Sequence, residues 1–152
     1  MDKRVVHGAM TRDQQKAPTE RGVVDLADAR VRIRSRAKPT QESLTRELDE
    51  IRSLLDQGLS TEAKDRLALL ISNARHNPSV LALARCALST ALEQQGHYRD
   101  SLAAVAMYES PESRVKLDDQ TVSYLRVQIG LAYNYNGDHP KAIAMLQSTL
   151  RD

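Results

Sequence analysis

The side chains in this sequence that could do chemistry are one thiol, three imidazoles at turns, a pair of adjacent carboxylates and a ladder of arginines. Cys86 is the single cysteine, so an internal disulfide is excluded. It stands among Ala84, Ala87 and Leu88, with no histidine or cationic helix end fixed beside it, and reads as a small buried hydrophobe rather than a reactive thiolate. His76, His97 and His139 fall at helix ends or turns, and no HxxxH or CxxC spacing gathers metal ligands around them. Asp118-Asp119 invites a cation, but an aspartate just ahead of an apolar stripe is explained more simply as an N-cap. No phosphate-cradling glycine loop and no nucleophile elbow occurs. A convergent nucleophile, base and stabiliser is missing. The expectation is a non-catalytic protein with no catalytic, cofactor-binding or metal-binding residues.

The arginines are Arg30, Arg32, Arg34 and Arg36, separated by Val31, Ile33 and Ser35. In an extended chain this spacing puts four guanidinium groups on one side. Such a row would follow phosphates with strong salt dependence, or suit an acidic protein groove or an anionic membrane surface. No aromatic accompanies it for base stacking. The plainer reading is a solvated tail. Val23-Val24-Asp25-Leu26, just before it, would serve as a short docking motif for a partner or for the first helix. The ladder lies in a stretch of distinct charge, since residues 1–40 carry a net +5 and the remainder −3, which gives the chain's +2. Residues 1–39 are therefore expected to be a basic, largely disordered arm.

The chain beyond the arm must bury a core with few aromatics, because there is no Phe or Trp and only five Tyr. Leu, Ala, Val and Ile suit helix packing. From Thr40 onward apolar residues recur at three- and four-residue intervals, in six successive stripes. The first is Leu44, Leu48, Ile51, Leu54 and Leu55, capped by Thr40; the second is Ala63, Leu67, Leu70 and Ile71. The third opens at Asn77-Pro78 and runs through Leu81, Leu88 and Leu92, and the fourth is Leu102, Val105 and Ala106. After a polar segment at Ser110–Lys116, Val122, Leu125, Ile129 and Tyr133 form the fifth, and Ala142, Leu146 and Leu150 the sixth. No run of eighteen apolar residues exists, and no apolar stretch comes after Met1-Asp2-Lys3-Arg4, so neither a membrane span nor a secretory leader is expected. With a lone cysteine, a cytoplasmic setting is the expectation.

The six stripes are three copies of one unit. Gly58, Gly96 and Gly137 lie 38 and 41 residues apart. Five residues after each comes a small residue (Ala63, Ser101, Ala142), and nine after comes Leu67, Val105 or Leu146. Four before comes Leu54, Leu92 or Tyr133. Glycine closes a helix in the left-handed conformation, and the small residue lets the second helix approach the first. With Ile129-Gly130, Tyr133, Gly137-Asp138, Ala142 and Leu146 the third copy resembles a tetratricopeptide repeat, a helix–turn–helix unit. The resemblance implies an all-α helix-turn-helix repeat solenoid over 40–152, with repeats at about 44–77, 82–115 and 123–152. It departs from the family where a tryptophan is usual, at Glu47, Arg85 and Arg126, and at Glu50, where a leucine is expected.

The resemblance further implies a concave groove lined by the first helix of each copy. The positions carried over are Tyr124, Val127, Leu131, Asn134 and Tyr135; Leu83, Cys86, Thr90, Glu93 and Gln94; and Thr45, Leu48, Arg52, Leu55 and Asp56. The expected function is a scaffold or adaptor module that holds a peptide or helix of another protein. The alternative is a regulatory or anchoring region whose arginine arm binds nucleic acid or anionic lipid. The alternative role for Tyr124 and Tyr135 is packing on neighbouring helices. The clamp that grips chaperone tails in one subclass is not expected, because its positions here hold Leu48, Arg52, Leu83 and Ala87. Ile143, Leu146 and Leu150 on one face of the last helix suggest self-association, or a chain that is the front of a longer protein, the latter being favoured.

Overall fold

The computed structural model describes residues 38–150. The arginine ladder and Val23–Leu26 lie outside the described residues, and the chain divides into two units between Ala37 and Lys38. Among the described residues there are six α-helices and no strand: α1 (Gln41–Asp56), α2 (Ser60–Asn73), α3 (Pro78–Gln94), α4 (Tyr98–Val105), α5 (Asp119–Tyr135) and α6 (His139–Thr149). None of these helices is long and apolar enough to cross a membrane.

Local chemistry sets the ends. Thr40 accepts a bond from the Ser43 amide (3.2 Å), Asn77 from Val80 (3.2 Å) and Asp118 from Thr121 (2.8 Å), so each first helix begins on a side-chain cap. Each hairpin then turns in the same way. Gly58, Gly96 and Gly137 sit at φ of 77°, 76° and 81°. The amide after each glycine reaches back to the carbonyl of Leu54, Leu92 or Tyr133, at 2.9, 2.8 and 3.0 Å. That closure requires the left-handed region, which glycine enters at little cost.

The hairpins α1–α2, α3–α4 and α5–α6 stack in order. Each first helix touches the next first helix, and each second helix touches the following hairpin's first helix. Two cores result. Leu48, Ile51, Leu67 and Leu70 meet Val80, Ala84, Ala87 and Ala91 in one. Ala82 and Cys86 meet Val105, Tyr108, Leu125, Ile129 and Tyr133 in the other. Helix α3 contributes to both, which corrects its expected stripe. Leu81, Leu88 and Leu92 are only half-buried, while the alanines and Cys86 face the cores. A helix with neighbours on two sides needs small residues there, so its bulkiest side chains move to the shoulders.

Two further departures have physical reasons. Helix α4 stops at Val105 and continues as short 3-10 turns at Ala106–Tyr108 and Pro111–Arg114, where Pro111 cannot sit inside a regular helix. In α6, Leu146 points inward, and a Cβ on Gly130 would lie 2.8 Å from its Cγ, whereas Ile143 and Leu150 are exposed. The expected single apolar face is therefore split.

Glu47, Arg85 and Arg126, which stand where the repeat family uses tryptophan, and Glu50, which stands where it uses leucine, tie each first helix to its second. Glu47 and Glu50 both hold Arg66 of α2, at 2.8 and 2.6 Å, and those two bonds raise the Arg66 pKa. Arg85 donates to the Ala104 carbonyl (3.5 Å) and Arg126 to that of Ser148 (3.3 Å). Nothing surrounds Gly96 within 4 Å of an added Cβ, so a substitution there reads backbone conformation alone. Gly96→Ala is expected to cost about 1–2 kcal/mol in urea unfolding. Gly96→Asn should cost less, because asparagine tolerates the left-handed region.

Candidate functional site

Helix α1 and the N-terminal halves of α3 and α5 line an open hollow of about 630 Å³. Thr45 and Arg52 line it from α1, Val80 and Leu83 from α3, and Gln120 and Tyr124 from α5. Arg52 spans it, with its guanidinium carbon 5.6 Å from the centre of the Tyr124 ring, so α1 reaches α5 past the intervening helix. At one lip the Asp118 carboxylate accepts from the Thr121 amide, the Thr121 hydroxyl and the Ser79 hydroxyl, each at 2.8 Å. Those bonds, the Thr121 amide first, hold its pKa down at about 2. The hollow thus has an apolar floor between a fixed cation and a fixed anion.

Only some of the expected groove residues meet here. Arg52 and Tyr124 line the hollow together with Thr45 and Leu83. Leu48, Leu55 and Cys86 do not: their exposures of 1%, 6% and 0% place them in the core, covered by the next first helix. Burial drives the Cys86 thiol up to about 12, which keeps it protonated at neutral pH. Thr90 turns toward α5, donating to the Cys86 carbonyl (3.2 Å) or the Gln128 amide oxygen (3.4 Å). Tyr135 stacks on Tyr98 with centroids 5.4 Å apart and rings 9° from parallel. The Asn134 amide oxygen is bonded to the His139 ring at 3.0 Å. Val127 and Leu131 are exposed on α5, outside the lining of the hollow. Arg30, Arg32, Arg34 and Arg36 lie outside the described residues. Among the described residues no group of three or more His, Cys, Asp or Glu is placed to hold a metal ion.

Sequence reasoning missed Gln41, Ser79, Gln120, Thr121 and the second role of Asp118. These are helix-start residues, and the groove positions carried over from the repeat family begin one turn later. The usable signal was the caps themselves, since Asp118 and Ser79 join the starts of α5 and α3.

Further along α3 and α5 a buried polar cluster locks α3, α4 and α5 together. Ser101 (2.7 Å) and Gln128 (3.1 Å) donate to the same Glu93 carboxylate oxygen. Ser89 and Ser101 are 2.8 Å apart, and Gln128 also donates to Ser89. Serine stands at both close-approach positions of this hairpin, so the helices touch through hydroxyls.

No family model and no curated protein matches the sequence. Among solved structures, the chain is similar to the TPR domain of Arabidopsis FLU, with a TM-score of 0.59 and 17% identity, covering 72% of this chain and 93% of that one. The fold is TPR-like.

Asp118 is predicted to stabilise the chain in a pH window that its lowered pKa defines. Asp118→Ala should cost about 1 kcal/mol near neutral pH through loss of the cap. The wild-type advantage is present above the ordinary carboxylate range and is lost as pH falls through about 2. Urea unfolding of both proteins between neutral and strongly acidic pH measures the convergence.

Proposed function

We propose that this is a non-catalytic interaction module, and that the hollow between α1, α3 and α5 receives an extended peptide or a helix of a partner protein. The observation that carries the reading is the Arg52–Tyr124 pair spanning an apolar floor at Leu83, with the Asp118 carboxylate fixed nearby. A peptide offers all the chemistry that such a wall needs. Its apolar side chains fill the floor, its backbone bonds to Gln120 and Thr45, and its charges find Arg52 and Asp118. The hollow is preformed, because the caps and the polar cluster fix its three walls. The ligand alone then bears the ordering entropy, which favours binding. The TPR-like fold supports this reading by analogy.

Of the groove residues named from sequence, Tyr124 and Arg52 are proposed as direct contacts. Val127, Leu131, Asn134, Tyr135 and Thr90 are proposed to shape the groove's edge. A scaffold or adaptor role and a cytoplasmic setting are consistent extensions of this reading.

The test is capture of partners from a native lysate by the full chain and by single variants. Tyr124→Ala and Leu83→Glu should each lower capture roughly tenfold or more, as expected for central contact residues. Leu69→Glu, on an exposed face of α2, should leave it unchanged. Equal capture by all four proteins contradicts the reading. Binding that disappears with Arg32→Ala and Arg34→Ala, or with added salt, would place it in residues 1–39 instead.

A further inference from the structure

All five tyrosines of the chain lie among the described residues, and their surroundings differ. Tyr108 and Tyr133 are buried. Tyr124 is exposed, but its ring carries the Arg52 guanidinium. Tyr98 and Tyr135 are exposed at 41% and 50%, and they face each other. Their ring centroids are 5.4 Å apart and the planes 9° from parallel, an offset stack in which ring edges overlap. Among the described residues no other two aromatic rings are stacked.

The backbone holds this pair in place. Tyr98 opens α4 and Tyr135 closes α5, so one ring belongs to the second hairpin and the other to the third. The Asn136 side-chain amide donates to the Tyr98 carbonyl (2.7 Å) and to the Ala132 carbonyl (2.8 Å). Those two bonds pin the start of α4 to the end of α5, beside the stacked rings. Packing does not account for the two hydroxyls. Neither phenol oxygen is hydrogen-bonded to a described residue, and a phenylalanine would stack equally well at either position. What the two hydroxyls add is the redox chemistry of a phenol, placed twice at one solvent-exposed point.

We propose that Tyr98 and Tyr135 are a site of oxidative coupling, at which a haem peroxidase with hydrogen peroxide joins the two phenols into dityrosine. Each phenol gives up one electron and one proton and becomes a tyrosyl radical. The two radicals combine through ring carbons ortho to oxygen, and the ortho hydrogens then move to oxygen to restore both phenols. The pair loses two hydrogens in all. One hydrogen peroxide takes up the two electrons and two protons and leaves as two waters. Exposed rings flip rapidly, so either ortho carbon of each ring can reach the shared edge. Holding the rings together makes the coupling unimolecular, so it outruns coupling between chains. The new bond ties the second hairpin to the third, across the joint that the Asn136 bonds already span. The inference does not depend on the hollow's ligand.

Treatment of the full chain at about 1 µM with a haem peroxidase and limiting hydrogen peroxide tests it, since dilution suppresses coupling between chains. The expected product is a monomeric chain lighter by two hydrogens, with dityrosine fluorescence and a cross-linked peptide that joins Tyr98 to Tyr135. Tyr98→Phe and Tyr135→Phe each keep a ring in the stack but remove one phenol, and each should lower the yield of this product roughly tenfold or more. Unchanged circular dichroism would show that both variants remain folded, and Tyr124→Phe should couple as the wild type does. Absence of the intramolecular product, a link through Tyr124, or equal yields in both phenylalanine variants and the wild type would overturn the proposal.

Discussion

The structure depends on one helix being buried on two sides. Helix α3 gives Val80, Ala84, Ala87 and Ala91 to one core and Ala82 and Cys86 to the other. Small side chains are what make this possible, because each neighbouring helix must come close enough for dispersion contact on opposite flanks of the same cylinder. The walls of the hollow result from that arrangement. With α3 wedged between them, α1 and α5 stand near enough for Arg52 to lie over Tyr124. Removing volume from α3 would loosen one core, and adding it would force α1 and α5 apart and open the hollow. Stability and the shape of the hollow therefore share a cause.

The buried polar cluster adds direction to this packing. Hydrophobic contact alone would tolerate a small slip of α5 along α3. The bonds that converge on Glu93 from Ser101 and Gln128 do not, since a shifted Gln128 would lose its partner inside the protein. The joint between the first two hairpins is set differently. There Gln94 donates to the Leu55 carbonyl, and Lys64 reaches Gln95, both nearer the surface. The two joints thus combine one packing scheme with two local chemistries, which is how a repeated scaffold keeps its shape while its sequence varies.

Much of the fold was legible in the sequence because glycine and the caps leave little choice. Gly58, Gly96 and Gly137 mark three turns that the structure closes with the same back-bond. Thr40, Asn77 and Asp118 open the three first helices as their residue types suggest. Periodicity was a weaker guide where a helix has two buried flanks. It favoured Leu81, Leu88 and Leu92 over the alanines of α3, because hydrophobic size and depth of burial part company where helices touch closely. The hollow was legible only in part. Tyr124 and Arg52 line it, but Leu48, Leu55 and Cys86 are covered by the next helix. How closely successive first helices approach is a tertiary quantity, and residue spacing within one helix does not encode it.

A rigid, doubly buried α3 is the claim on which the hollow, its preorganisation and the ordered stacking all rest. Native-state hydrogen exchange of the full chain, followed by mass spectrometry or NMR, tests it most directly. The α3 amides are expected to exchange last, through global unfolding, while α6 opens at lower free energy. Exchange of α3 as fast as α6, or before α1 and α5, would contradict it.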